Sequence, residues 1–515
     1  MILKVGDKLL SKEKVRLARS AIYLTLQGLS SSILGIIYFA FIARLLLEIS
    51  DLGKIVSISM FSDLLVTFTT LSISSAVTKY FSESIGKEDE KGAHGVIING
   101  LKFLLLSAIS SSAICIIFAS QISLIFLKDS KDFFYFWLLS INIFLVILSQ
   151  LFTSIIYAAQ MFREYFITYI ISNFIKTFTS IILLEMKFGI IGVLTAWIAG
   201  SSSLFLVSLI FSKNLLKIGK NKGEFSLKTM LKYSVPIYGS SIISYFQSTI
   251  DKYVILLLTN QEILGLYAPA VTAMAYVAGF SGYITSAIFP KMSELFGKKD
   301  LDTMLKGLKE VSRYASIIYV PLAFGLAAVS IPTIDLFAGS RYVGGGPVLM
   351  ILALTSIILP ISNTLGVYFA SIGNTKVFFI SSLFSLIMGS TFSLILVPVL
   401  SIIGAALARG FSTFFGFIIF LFYLENKKII DWKNFLKVSI ISLMMAIVVY
   451  GLTLIVYSKY LLPIYILIGG IIYITLIIIL KVINKSDIEL MIDILPDNIK
   501  NKVKIIIHKF FPLSN

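Results

Sequence analysis

Five charged side chains lie inside long apolar stretches of this sequence: Asp63, Lys176, Asp251, Lys252 and Arg409. A charge at the centre of a lipid-embedded helix costs about 2.5–3.5 kcal/mol on insertion scales, so each needs a partner, water or a ligand. The chemistry open to them is non-covalent. Arg suits a bidentate phosphate contact and Lys acts as a point charge, while a carboxylate can hold a proton or Na⁺. Cys115 is the lone cysteine, so no intrachain disulfide can form, and His94 and His508 are the two histidines. No metal site, other cofactor or catalytic residue is therefore expected.

Each of these charges has polar company at helical spacing. Ser240, Ser244, Gln247 and Asp251 share one face, as do Tyr169, Asn173, Lys176 and Ser180, and Ser59, Asp63, Thr67 and Thr70. Ser20, Tyr23, Gln27 and Ser30 form a fourth stripe, and Arg409 and Ser412 share a face. Several helices with one wet face each predict a central aqueous cavity. Its candidate binding residues are Lys176, Arg409, Asp251, Gln247, Asn173, Gln27 and Asp63, with Asp63 and Asp251 also candidates for ion coupling. For Lys176 and Arg409 the competing reading is a buried ion pair, for instance Lys176 with Asp63, that only pins helices. Asp251 and Lys252 are adjacent, so their side chains diverge by about 100° and one alone can face the cavity. Asp251 is expected there, with Lys252 snorkelling or paired locally. Arg44, Lys54 and Arg341 fall at span ends, where a solvated interfacial role is expected.

The elements that must carry these residues follow from composition. Of 515 residues 57% are hydrophobic and 14% charged, with mean hydropathy +0.94. Apolar runs of about 20 residues recur down the chain, each long enough to cross a bilayer as helix. The fold class is all-α, a polytopic membrane protein with about fourteen spans. They are expected near 20–43, 54–78, 97–119, 134–160, 166–186, 190–212, 234–258, 265–289, 313–337, 347–371, 377–397, 400–424, 438–457 and 463–483. Lys and Arg number about 34 in the terminal segments and alternate loops against about 8 in the others, which places both termini in the cytoplasm. The net charge of +17 sits in short loops, not on a soluble face, so nucleic acid is excluded as partner. The N-terminus lacks a short apolar region with a small-residue cleavage site, so the first span is expected to stay as an anchor.

The first half repeats in the second. LLLEISDLG from Leu45 recurs as LLLTNQEILG from Leu256, and SESIGKED from Ser82 as SELFGKKD from Ser293. YAAQ at Tyr157 matches YFAS at Tyr368, and IIGVLTA at Ile190 matches IIGAALA at Ile402, all 211 or 212 residues apart. An even number of spans per copy makes the copies parallel, giving two six-helix lobes with a substrate between them. The expected domains are an N-lobe over 1–231, a C-lobe over 232–437, an extra helix pair over 438–484 and a cytoplasmic tail over 485–515. Glycines that match across the copies, Gly53 with Gly265, Gly86 with Gly297 and Gly192 with Gly404, read as structural. The unmatched charges do not: Asp63 faces Met274, Lys176 faces Ile387 or Met388, and Arg409 faces Trp197. No proline precedes Pro236, so bending is expected mainly in the second half. In the tail, Val503, Ile506, Ile507 and Phe510 share a face ringed by lysines, a pattern for a helix on the anionic membrane surface.

FIARLLLEISDLGKI, YAAQMFREYF, STIDKYVILLLTNQEILGLYAPA, AIFPKMSELFGKKD, ASIGNTK and SIIGAALARGFST, in that order and spacing, resemble a known family. It is the polysaccharide or lipid-linked oligosaccharide flippases of the multidrug/oligosaccharidyl-lipid/polysaccharide exporter superfamily. The resemblance runs from about residue 15 to about residue 425. It implies two six-helix lobes in a V, alternating access, and a glycan on a lipid phosphate or pyrophosphate as cargo. It also implies basic residues in the central cavity, matched here by Lys176 and Arg409, a cell-membrane location and no enzymatic step. Implied partners are the lipid-linked glycan, membrane lipids and glycan-assembly enzymes, the last without a sequence signal of their own. A multidrug cation exporter of the same superfamily is the rival, and should prefer carboxylates in its cavity. A membrane glycan polymerase or transferase would need catalytic carboxylates or a large outer loop, and the outer loops are short. A scaffold would not need so many polar stripes.

Overall fold

The computed structural model describes residues 2–217, 225–286, 288–426, 429–480 and 482, with backbone only for 2–19, 21, 283 and 284. The expected tail at 485–515 lies outside the described residues. Helices follow the apolar runs in order: α1 Ile2–Leu45, α2 Ile49–Thr70, α3 Ile73–Gly86, α4 Glu90–Ile117, α5 Ala119–Leu127, α6 Phe134–Ala158, α7 Phe162–Glu185 and α8 Gly189–Ser212. The series continues with α9 Leu227–Leu258, α10 Gln261–Ser286, α11 Phe289–Gly297, α12 Leu301–Ala328, α13 Ser330–Phe337, α14 Gly346–Thr355, α15 Leu359–Ser371, α16 Thr375–Phe422, α17 Trp432–Ile455 and α18 Leu462–Ile479.

Among the described residues 12 helical segments are long and apolar enough to cross a membrane. One of them, α16, has 48 residues with Ser401 at φ 51 and ψ −127 inside it, so it is two spans joined at a kink. A further helix, the 32-residue α9, has the length to cross but carries Asp251 and Lys252. The polytopic all-α class and the approximate number of spans therefore hold. Several expected spans are broken. Leu71 and Ser72, at φ 47 and 53, divide α2 from α3, and Val329 divides α12 from α13. The first of these breaks contains no proline, so bending is not confined to the second half. Pro290 and Pro360 stand at helix starts, where the missing N–H costs nothing. Pro236, Pro321 and Pro398 lie inside helices.

The repeat is written into the backbone. Left-handed φ values recur at the sequence offset: Glu88 55 with Lys299 60, Lys128 59 with Gly339 106, and Gly189 55 with Ser401 51. Asp89 caps α4 by accepting from the Gly92 amide, and Asp300 caps α12 by accepting from the Thr303 amide. Thr303, through its side chain and its amide, holds the Asp300 carboxyl below the usual range.

The chain divides into two compact units. The first comprises Met1–Gly279, Ser330–Ser356 and Asn374–Tyr423; the second comprises Phe280–Val329, Ile357–Gly373 and Leu424–Asn515. In the first, α7 packs on α8 and α1, α6 on α8 and α4, and α9 along α16. Two repeat-matched glycines meet there. A Cβ on Gly53 would lie 1.8 Å from the Gln261 carbonyl oxygen, and one on Gly265 would lie 2.1 Å from that of Ile49. Each copy of the motif thus abuts the other at the starts of α2 and α10. Other contacts between the copies are reciprocal too. Lys128, after α5, donates to the Thr259 carbonyl at the end of α9. Arg341, after α13, donates to the carbonyls of Arg44, Leu46 and Leu47 at the end of α1, at 3.0, 2.8 and 2.6 Å. Arg44 donates to the Leu336 carbonyl and Lys54 pairs with Asp132 at 2.6 Å. These three span-end cations are therefore helix and loop ties as well as interfacial charges. In the second unit α12 packs against α15 and α17, and Tyr473 on α18 donates to the Ile317 carbonyl at 2.7 Å.

Candidate functional site

All the charges singled out in the sequence lie in the first unit. The polar face of α9 is exposed at Ser240 and Ser244, half-buried at Gln247 and closed at Asp251, which is 2% exposed. Burial of a carboxylate demands full satisfaction. Arg409 Nη1 on α16 lies 2.7 Å from Asp251 Oδ2, and the Tyr267 hydroxyl on α10 donates to the same oxygen at 2.6 Å. Arg409 also donates to the Ser248 carbonyl at 3.2 Å, and its side chain keeps 28% exposure. One carboxylate on α9 thus binds α10 and α16 together. Of the two readings open for Arg409, the structure shows the buried ion pair, with a carboxylate 158 residues away in sequence whose pairing depends on how α9 and α16 face each other.

Lys176 is held differently. Its stem passes over α8 at Gly200, where a Cβ would stand 2.8 Å from Lys176 Cβ. Its ammonium lies 4.8 Å from the centroid of the Tyr38 ring on α1, and Trp197 Nε1 on α8 donates to the Tyr38 hydroxyl. A cation over a π face is attracted by the ring quadrupole, worth about 0.5–2 kcal/mol. Among the described residues no carboxylate forms an ion pair with Lys176, so the alternative pair with Asp63 does not form. Asp63 stays exposed, beside Ser59 and within electrostatic reach of Lys252, Tyr245 and Tyr253.

One level along α7, Asn173 Nδ2 donates to the Ser31 hydroxyl at 3.1 Å, and Gln27 Nε2 donates to the same oxygen at 3.2 Å. Gln27, Asn173 and Lys176 therefore line one strip between α1 and α7. Gln247, Asp251 and Arg409 belong to the α9 and α16 side, and Asp63 to α2. Tyr38, Ser31, Trp197 and Tyr267 escaped the sequence reading. For Trp197 a signal existed, since it occupies the repeat position of Arg409.

A family model described as "Polysaccharide biosynthesis protein" matches residues 41–347. The chain belongs to the polysaccharide biosynthesis protein family. Proteins similar to this chain include the probable low-salt glycan biosynthesis flippase Agl15 of Haloferax volcanii, 25% identical over 285 residues, 55% of this chain and 60% of that protein. An uncharacterised membrane protein of Methanocaldococcus jannaschii is 28% identical over 248 residues, 46% of this chain and 45% of its own length. The match thus spans about half the length of these curated relatives. Among solved structures, an inward closed form of lipid II flippase MurJ has TM-score 0.73 at 21% identity, covering 88% of this chain and 98% of that one. An inward-facing MATE family multidrug resistance transporter of the MOP superfamily has TM-score 0.59 at 14% identity, covering 78% and 97%. This family member therefore shares its fold with MOP-superfamily transporters.

Proposed function

We propose that this chain carries a lipid-linked oligosaccharide, on an isoprenoid phosphate or pyrophosphate, from the cytoplasmic to the outer leaflet by alternating access, for surface glycan assembly. The observation that carries the reading is Lys176, whose amino group lies over the Tyr38 ring with no ion-pair partner among the described residues, in a member of a polysaccharide biosynthesis family. An anionic head group completes that site, whereas an organic cation would be repelled by it. The similarity to a probable low-salt glycan biosynthesis flippase of Haloferax supports this cargo. Gln27 and Asn173 supply hydrogen bonds beside Lys176, and Gln247 does so beside Asp251 and Arg409. Asp63, exposed and near Lys252, is the group for a coupling proton or Na⁺, while Asp251 is committed to Arg409 and Tyr267.

In this reading the lobes are residues 1–231 and 232–437, with 438–484 an appended helix pair and 485–515 a cytoplasmic tail. The protein sits in the cell membrane with both termini in the cytoplasm, and it performs no covalent step. Lipids and glycan-assembly enzymes are its surroundings. Cells depleted of the chain should accumulate lipid-linked glycan on the cytoplasmic leaflet and show unchanged export of ethidium. Lost ethidium export with a normal glycan distribution would overturn the reading.

A further inference from the structure

Two helical turns along α7 from Lys176, a cavity of about 290 Å³ opens in the first unit between α3, α6 and α7. Ser74 and Thr78 contribute from α3, Gln150 and Thr153 from α6, and Tyr165 and Tyr169 from α7, with Tyr157 at its edge. None of its lining residues carries a charge. The three rings form a continuous aromatic wall, with centroids 5.4 Å apart for Tyr157 and Tyr165 and 4.8 Å for Tyr165 and Tyr169. Thr78 and Thr153 donate to the carbonyls of Ser74 and Ser149, each at 3.0 Å. Their oxygens therefore keep lone pairs to offer, and the Gln150 amide offers both donor and acceptor.

A small ligand that matches this lining has many hydroxyls and one apolar face. A phosphate finds no cation there and a lipid tail finds too many polar atoms. A quaternary cation could use the rings but gains nothing from the hydroxyls. A sugar ring uses both. Its C–H bonds, polarised by neighbouring C–O bonds, pack on the negative face of a tyrosine, and its hydroxyls exchange hydrogen bonds with Ser, Thr and Gln. The volume lies at the low end of small-molecule sites, which fits one ring within the pocket. We propose that this pocket is a subsite for a single uncharged sugar ring, namely one ring of the cargo's glycan. The inference rests on the flippase reading. It adds that the glycan is recognised separately from the phosphate, by tyrosine faces on α7 near the junction of α6 and α7.

The full chain in proteoliposomes, given undecaprenyl diphosphate bearing one N-acetylglucosamine and the bare diphosphate, tests this. The intact protein should prefer the glycosylated carrier. Gln150→Leu and Tyr169→Leu should each reduce that preference roughly tenfold, the worth of one or two hydrogen bonds or a ring contact, and Tyr169→Phe, which keeps the ring, should retain most of it. A preference unchanged in folded Leu variants overturns the subsite and spares the flippase reading. Movement of neither carrier overturns the flippase reading itself. The subsite is then decided by saturation-transfer NMR with free methyl N-acetylglucosaminide and the full chain in micelles. Transfer lost in Tyr169→Leu supports a site for free sugar, and no transfer overturns it.

Discussion

At the scale of residues, Arg409 and Asp251 act as one group, since each is the means by which the other is tolerated at low exposure. Arg409→Ala leaves the Asp251 carboxylate buried without its counter-ion, held by the Tyr267 hydroxyl and the Lys252 amide, a loss of about 3–5 kcal/mol. Asp251→Asn combined with Arg409→Gln removes both charges and should recover most of that. Thermal unfolding in detergent checks this: a double variant as unstable as Arg409→Ala would show that packing, not charge, sets the cost. The sequence made the individual charges legible because a lone Lys or Arg stands out in an apolar run. Their partners were not legible. Helical spacing places Asp251 on a polar face, but it says nothing of which helix that face meets, so the pairing with Arg409 and the cradle of Lys176 on Tyr38 and Trp197 needed three dimensions.

At the scale of elements, the repeat carries the fold, and its matched glycines differ in what they do. Gly53 and Gly265 leave no room for a Cβ, which would lie 1.8 and 2.1 Å from a carbonyl oxygen of the other copy. Gly86 and Gly297, read from the sequence as equally structural, have nothing within 4 Å. The left-handed turn beside each falls instead on Glu88 and Lys299. Gly53→Ala and Gly265→Ala should therefore abolish accumulation of folded protein, whereas Gly86→Ala and Gly297→Ala should change the unfolding temperature little or raise it slightly. Yields by size-exclusion chromatography separate the two pairs, and equal tolerance at all four positions would contradict the close approach of α2 and α10. The spans were legible from apolar length alone. Their internal breaks were not, because Leu71 and Ser72 adopt positive φ without glycine or proline to announce it.

For the whole molecule, the charge bias of the loops predicts one orientation, and the chain carries its own control, since Cys115 is fully buried. Lys131→Cys, between α5 and α6, should react with a membrane-impermeant maleimide added to intact cells. Lys91→Cys, at the start of α4, should react only after the cells are opened, and the reverse pattern would invert the topology. With that orientation, the reciprocal ties of Lys128 to Thr259 and of Arg341 to the end of α1 lie at the outer end of the first unit. In the proposed reading the cargo enters from the cytoplasm with its phosphate directed to Lys176. The most direct measurement is transfer of a fluorescent isoprenoid-diphosphate-linked sugar between leaflets in proteoliposomes, read by quenching of the outer leaflet. The intact protein should speed transfer over protein-free vesicles, and folded Lys176→Ala should lose at least roughly tenfold of that rate, as for a lost charge-assisted contact. No acceleration by the intact protein would contradict the flippase, and an undiminished rate in Lys176→Ala would contradict the site.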